Sequence, residues 1–311
     1  MGGKSASKSY RLTQRDLLLF NEITKQKLLR QEKIDYIPIT LKELRLLPFY
    51  CNKLQAKNVC CLTHIAGLPK HPYTLQSMPL MPYQVRFKKI IDNTKRHKFH
   101  INKARQMGFS ELVLRIFQER GFKKWQKKQN IYVTGTREKL AKKIMARFKE
   151  LYRRIPDVVE NNGDNLYLEL KDGTKFEGLP ANPEAITGDT KIGGIAMDEA
   201  PKWNLVDDMP VMNAYMPIVN TNKSDLFLFG TPKGPKGFFY DIEMGENDFL
   251  KLKYNIWETE NYLYSTEEIE IMLKDTTLDV EQEFLNQYTS GRDSIFGTVL
   301  EEEIGDFDTL E

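Results

Sequence analysis

The sequence predicts a three-layer α/β fold, a mostly parallel sheet covered by helices, preceded by a helical N-terminal extension. Three observations predict it. From about residue 98 onward, short apolar runs alternate with helical stretches, the pattern of strands joined by crossover helices. Two of these runs, residues 192–197 and 226–229, are continuously apolar, as strands covered on both faces must be. Residues 1–80 show no such alternation.

In chain order, residues 1–9 are small and polar and read as a disordered tail. Residues 12–31 interleave Leu17, Leu18, Phe20, Leu28 and Leu29 with charges, which predicts a helix. Residues 47–80, rich in Pro, Cys and His, read as an irregular connector. A helix is expected over 82–93, with Pro82 in its first turn. A strand at 98–102, a helix at 110–128, a strand at 130–134 and a very basic helix at 136–154 follow. Asp172-Gly173 separates residues 166–170 from 174–178 and signals a hairpin inserted into the unit. Beyond the two apolar strands, a further strand is expected at 249–256, then acidic helices at 266–274 and 278–288. No internal repeat is present. The division is 1–75 for the extension, 76–245 for the core, and 246–311 for its C-terminal part, a lid and linker.

The 311 residues, 41% hydrophobic and 29% charged, have the composition of a soluble globular protein large enough to bury a core. No apolar run approaches the roughly 18 residues a membrane span needs, and the N-terminus lacks a signal-peptide core. Met1-Gly2 begins like a myristoylation site, but Ala6 stands where a hydroxyl is expected. A cytoplasmic setting is the expectation, and three cysteines agree with a reducing compartment. Cys51, Cys60, Cys61, His64 and His71 cluster, but their spacing matches no common zinc finger, so buried or incidental thiols are expected. The net charge of +3 hides an asymmetry: Lys123 to Arg154 is densely basic, with Glu138 and Glu150 its only acids, whereas the end of the chain is acidic. Such a basic zone can neutralise nucleic-acid phosphates, or simply form a solvated helix face.

Lys103-Ala104-Arg105-Gln106-Met107-Gly108-Phe109-Ser110 lies between an expected strand and helix, where a phosphate loop of the form G-x-x-x-x-G-K-[ST] would lie. Gly108 and Ser110 fall on the last glycine and the hydroxyl that binds Mg²⁺. Phe109 replaces the usual lysine, while Lys103 stands at the opposite end of the loop and can fold back onto phosphate. Arg105 offers a second, forked cation. The plainer reading is a turn closed by Gly108 with Ser110 capping a helix. Downstream, the strand 192–197 ends in Asp198-Glu199. At the carboxyl end of a central strand, Asp198 suits a magnesium ion and Glu199 the attacking water. One strand later, Gly230-Thr231-Pro232 presents a hydroxyl that can sense the terminal phosphate, or merely forms a proline-directed turn.

In order, five landmarks resemble the ATPase domain of the large terminase subunit, the motor that packages DNA into tailed-virus capsids. They are Pro82-Tyr83-Gln84; Arg105-Gln106-Met107-Gly108-Phe109-Ser110; Ile186-Thr187-Gly188 with Met197-Asp198-Glu199-Ala200; Gly230-Thr231-Pro232-Lys233-Gly234 with Gly237-Phe238-Phe239-Tyr240; and Glu283-Phe284-Leu285 with Ile295-Phe296. Some terminases likewise carry lysine at the start of the loop and an aromatic before the serine. The resemblance, over roughly residues 75–297, implies a P-loop NTPase fold of the ASCE type that binds ATP and Mg²⁺ and translocates double-stranded DNA. It implies Gln84 at the adenine, residues 103–110 around the phosphates, Ser110 and Asp198 at magnesium, Glu199 at water, and Gly230, Thr231 and Pro232 in coupling. Arg105 in cis or Arg137 in trans is the implied arginine finger. The implied partners are DNA, portal protein, small terminase subunit and further copies in a ring, a pentamer by resemblance. The implied setting is the host cytoplasm, outside the mature virion and away from membranes. Large terminases continue into a nuclease with clustered aspartates; Asp306 and Asp308 make no such cluster, so that domain is expected to be absent. The competing readings are another P-loop motor such as a helicase, and a decayed, non-hydrolysing DNA-binding module, which Phe109 favours.

Overall fold

A computed structural model describes residues 36–51, 60–71, 74, 76–185, 191–203 and 208–290, without the side chain of residue 185. The helix expected at 12–31, the Ile186-Thr187-Gly188 and Ile295-Phe296 landmarks, and Asp306 and Asp308 lie outside these residues.

Eight strands form one sheet: β1 (Lys98–Lys103), β2 (Gln129–Thr134), β3 (Val159–Asn161), β4 (Tyr167–Leu170), β5 (Lys175–Pro180), β6 (Ile192–Asp198), β7 (Asp225–Gly230) and β8 (Leu250–Tyr254). Their order is β3-β4-β5-β2-β6-β7-β1-β8. From β5 to β8 every pair is parallel; only β3–β4 and β4–β5 are antiparallel. The hairpin around Asp172-Gly173 is therefore not a separate insert. Its second strand pairs with β2 along six residues and widens the sheet. β7 lies between β1 and β6, so the loop after β1 and the end of β6 face each other across one intervening strand.

The alternation of side chains along β1, β2, β6 and β7 sorts the core into two layers. On one face, Phe99, Ile101, Tyr132, Ala196, Phe227 and Phe229 meet α1 (Pro82–Asn93), α2 (Phe109–Lys123) and α3 (Glu138–Glu150). On the other, Ile131, Val133, Ile195, Met197, Leu226 and Leu228 meet α4 (Met209–Asn222) and α5 (Phe238–Met244). The three-layer α/β expectation is met. Ile37, Ile39, Leu44, Phe49, Leu62 and Ile65 join the first layer, so the chain before α1 is packed onto the core.

Three helices differ from expectation for local reasons. α2 ends at Lys123 rather than 128 because Trp125 turns beneath the sheet, where Gly194 leaves room for its ring. α3 ends at Glu150; short-range bonds from Tyr152 to Lys149 and Arg153 to Glu150 tighten the chain before Pro156, and a residue preceding proline resists helix. The helix expected at 278–288 is one turn, Val280–Glu283. Asn286 then takes φ 63°, and its Nδ2 donates to the carbonyls of Asn102 and Tyr254, both at 2.9 Å. α6 (Thr266–Leu273) forms as expected, with a Ser265–Glu268 capping box.

Asp225, 1% exposed at the start of β7, holds the end of α2 to the sheet. It accepts from Arg120 Nη1 (2.5 Å), Lys124 Nζ (2.8 Å) and Trp125 Nε1 (3.0 Å). Removing one partner of a buried ion pair leaves the other charge uncompensated. Asp225→Ala is therefore expected to destabilise the chain by about 3–5 kcal/mol, read as a lowered denaturation midpoint; an unchanged midpoint would contradict the clamp.

Candidate functional site

β1 delivers Lys103 to the carboxyl edge of the sheet, and the loop to α2 then turns on two left-handed residues, Gln106 (φ 59°) and Gly108 (φ 70°). Gly108 has a second constraint: a Cβ there would lie 3.2 Å from Gln84 Nε2. Gln84 fastens α1 to this loop. Its Oε1 accepts from Met81 N at 3.1 Å and its Nε2 donates to the Met107 carbonyl at 3.5 Å. The Tyr83 hydroxyl donates to the same carbonyl. Among the described residues the N-cap residue Gly108 of α2 makes no side-chain cap hydrogen bond, and an uncapped helix N-terminus suits an anion.

The Lys103 side chain, 5% exposed, crosses the end of β7 and forms an ion pair with Glu199. Its Nζ also lies 3.4 Å from the hydroxyl of Thr231, which is buried. Glu199 follows β6 in a left-handed conformation, φ 51°, a region a non-glycine residue occupies only where its surroundings impose it. The imposing contacts are the Lys103 pair, a 3.5 Å hydrogen bond from Thr231 N, and the Trp203 indole donating to the Asp198 carbonyl at 2.9 Å. Gly230 lets the turn after Glu199 lie against β7, because a Cβ there would meet Pro201 Cδ at 2.4 Å. Of Gly230, Thr231 and Pro232, it is Thr231 that meets Lys103 directly.

Beside this pair, Ser110 Oγ donates to Asp198 Oδ1 and the Tyr132 hydroxyl to Asp198 Oδ2, each at 3.1 Å. Burial, and then the neighbouring Glu199 charge, push the Asp198 carboxyl up to about 6. Burial also pushes Glu199 up, but the Lys103 ammonium, with Lys202 and the Thr231 N–H beside it, holds that carboxyl below its usual range. Asp198 and Ser110, a buried carboxylate beside a hydroxyl, are a hard-oxygen donor set that suits Mg²⁺. Glu199, 39% exposed, keeps one side open to solvent.

The other expected residues fall elsewhere. Arg105 is 52% exposed and turns toward Glu283, with Nη1 3.5 Å from Oε2; Lys202 pairs with the same carboxylate at 2.8 Å. The loop's second cation is thus tied to the chain after α6, away from Lys103. Arg137 is exposed just beyond β2, on the sheet edge that carries Asp198. The Phe109 ring is turned into the core, 1% exposed, against Tyr83, Phe87 and Tyr254. Only its backbone belongs to the loop. Ala104 and Gln106 complete the turn, Ala104 N donating to the Tyr254 carbonyl at 2.8 Å. Sequence reasoning missed Tyr132, whose signal was a hydroxyl on an otherwise apolar strand, and placed Glu283 in a landmark without its pairing to Arg105 and Lys202. A cavity of about 570 Å³ opens beside the loop, with Gln84, Gln106, Gly108, Glu111 and Arg147 on its walls; its volume is that of a small-molecule site.

No protein-family model matches the sequence, and no curated protein matches it either. Solved structures do match the fold. The ATPase domain of the Thermus phage P74-26 large terminase, in a mutant form, superposes with a TM-score of 0.54 at 18% identity, over 68% of this chain and 95% of that one. The HK97 bacteriophage large terminase gives 0.54 at 15% identity, over 73% of this chain and 54% of that one. A large terminase from a thermophilic bacteriophage, in complex with ADP, gives 0.53 at 11% identity, over 68% and 54%. The match spans about half the length of these last two proteins. The fold of this chain is similar to that of the large-terminase ATPase domains: a mostly parallel sheet covered by helices, with an antiparallel edge.

Proposed function

We propose that this chain is the ATP-hydrolysing part of a viral DNA-packaging motor, a terminase large-subunit ATPase whose phosphate-binding cation is Lys103. The observation that carries the reading is the convergence of Lys103, Glu199 and Thr231 beside Ser110 and Asp198 at one sheet edge. A decayed site would have no reason to keep a buried lysine aimed at a carboxylate held in a strained backbone conformation.

ATP enters with its phosphates in the turn 104–108, on the N–H groups at the start of α2, and its base in the cavity beside Gln84. Ser110 and Asp198 would hold Mg²⁺, which when bound neutralises charge on the phosphate oxygens. The γ-phosphate competes with Glu199 for the Lys103 ammonium. Once that charge is shared, the Glu199 carboxylate becomes more basic and takes a proton from the attacking water. The water oxygen bonds to the γ-phosphorus, the bond to the β–γ bridging oxygen breaks, and ADP and phosphate result. Thr231, bonded through its backbone to Glu199 and facing Lys103, is placed to feel the loss of that phosphate and pass it along β7.

Double-stranded DNA is the proposed track. The exposed Lys139, Lys142 and Lys143 of α3 supply positive charge on the solvent side of that helix. Portal protein, small terminase subunit and further copies in a ring are the proposed partners, in the host cytoplasm rather than the virion, with Arg137 reaching a neighbouring copy's site. The test is Glu199→Gln. Turnover is expected to fall by about 10²–10⁴-fold, the usual worth of a general base, with ATP-analogue affinity kept. Turnover equal to the wild type removes Glu199 from the chemistry. A wild-type chain that binds no nucleotide, with or without DNA, favours the non-hydrolysing module instead.

A further inference from the structure

The spacing of the cysteines gave no reason to expect a metal, but the fold brings all three of them together with one histidine. The thiols of Cys51, Cys60 and Cys61 and the imidazole of His64 place their ligand atoms within 4.8 Å of one another. The three sulfurs lie 3.5, 3.1 and 2.9 Å from the single nitrogen His64 Nδ1. One imidazole nitrogen can make one hydrogen bond, so hydrogen bonding gives no reason for three thiols to surround it. Their cysteines are unlinked to one another. A tetrahedral zinc ion does give a reason: with Zn–S near 2.3 Å and Zn–N near 2.0 Å, neighbouring ligand atoms sit about 3.5–3.8 Å apart.

We propose that Cys51, Cys60, Cys61 and His64 Nδ1 form a closed structural zinc site. Three thiolates and one imidazole are a soft set that disfavours magnesium or calcium, and four protein ligands leave no open position for catalysis. His71, the other histidine of the stretch, is not a member, since its Nε2 faces the Leu263 carbonyl at 3.4 Å. Three ligands come from one short segment. Cys61 precedes the single-turn helix Leu62–Ile65, and His64 lies within it. The fourth comes from the incoming chain, which already runs alongside: Leu62 N donates to Pro48 O at 3.0 Å and Thr63 N to Phe49 O at 3.1 Å.

The ion fastens that pair of segments to the nucleotide side of the fold. Arg115 of α2 donates to the Thr63 carbonyl and Arg154 to the His64 carbonyl, at 3.5 and 3.4 Å. Ala66 to Lys70, immediately beyond, form a wall of the cavity beside the phosphate loop. The zinc site shapes that wall without touching the reacting groups.

The full chain, purified without chelator and under reduction, is expected to carry about one zinc per molecule by elemental mass spectrometry, the stoichiometry of a closed four-ligand site. Exchange for Co²⁺ is expected to give tetrahedral visible bands with thiolate-to-cobalt charge transfer. That charge transfer is expected to fall by about a third in Cys51→Ser, one of three thiolates being lost. If Cys51→Ser does not fold, His64→Cys keeps four ligands and is expected to raise the charge transfer by about a third instead. A folded, reduced wild-type chain without zinc and with only an octahedral cobalt spectrum overturns the proposal. So does a spectrum that neither variant alters.

Discussion

Lys103→Ala is expected to cut kcat/KM for ATP by about 10²–10³-fold, the loss typical of removing one preorganised group from a developing charge, and to weaken nucleotide binding while the chain stays folded. Lys103 is the one cation of the phosphate loop that the fold turns inward. Its side chain is nearly enclosed and points at Glu199 and Thr231, so the terminal phosphate meets it on arrival. Its removal has two consequences. The phosphate loses a full charge in a partly desolvated site, and Glu199 loses the partner that holds its carboxyl low. The second effect makes Glu199 a stronger base before any substrate arrives, so a lost turnover would reflect phosphate anchoring rather than a failed proton acceptor. Lys103→Arg is not expected to restore activity, because a planar fork does not occupy the space of a compact ammonium. Arg105→Ala is the internal comparison. Because Arg105 faces Glu283, its loss is expected to leave nucleotide affinity nearly intact. Calorimetry with an ATP analogue and steady-state turnover check both variants, and the opposite ranking would assign the phosphate to Arg105.

Much of this site was legible because its parts are short and contiguous. A strand, a turn closed by Gly108 and a helix beginning at Ser110 occupy neighbouring residues, and an apolar strand ending in Asp198-Glu199 carries its own signal. The hairpin at Asp172-Gly173 was legible for the same reason. Contacts between distant segments were not. Nothing local indicates that Asn286 will reach the carbonyls of Asn102 and Tyr254 and end a helix early. Nor does spacing show that Arg105 will be drawn to Glu283, 178 residues away. α4 escaped because it is apolar on most sides and carries Pro210 and Pro217, which hides the 3.6-residue period on which helices are read. The cysteines were noted as a cluster with His64 and His71, but the convergence of all three on one nitrogen of His64 was not legible, because Cys51 arrives from a separate segment.

Restoring the usual residue, Phe109→Lys, is expected to damage the protein rather than improve it. A simple view of the loop treats Phe109 as a lost lysine, so that lysine at this position would rescue Lys103→Ala. The structure argues otherwise. The Phe109 ring centroid lies 5.9 Å from Tyr83, 5.5 Å from Phe87 and 5.2 Å from Tyr254, and these rings join α1, α2 and β8 into the first core layer. Truncating such a phenylalanine alone costs about 3–5 kcal/mol, and an ammonium left among three aromatic rings adds a desolvation cost. The lysine can escape only by bending back toward the loop, which gives up the packing while bringing a second cation next to Lys103. The melting temperature is therefore expected to fall by about 6 °C or more, at roughly 2–4 °C per kcal/mol for a chain of this size. The double variant Lys103→Ala with Phe109→Lys is expected to remain inactive. Thermal unfolding and ATP turnover check the two halves separately. A chain that keeps its melting temperature and regains turnover would show that the loop has one cation position reachable from either end. The expected result would show that the aromatic at 109 and the lysine at 103 are a single solution, in which the residue that seals the helix start is freed from binding phosphate because the strand end does so.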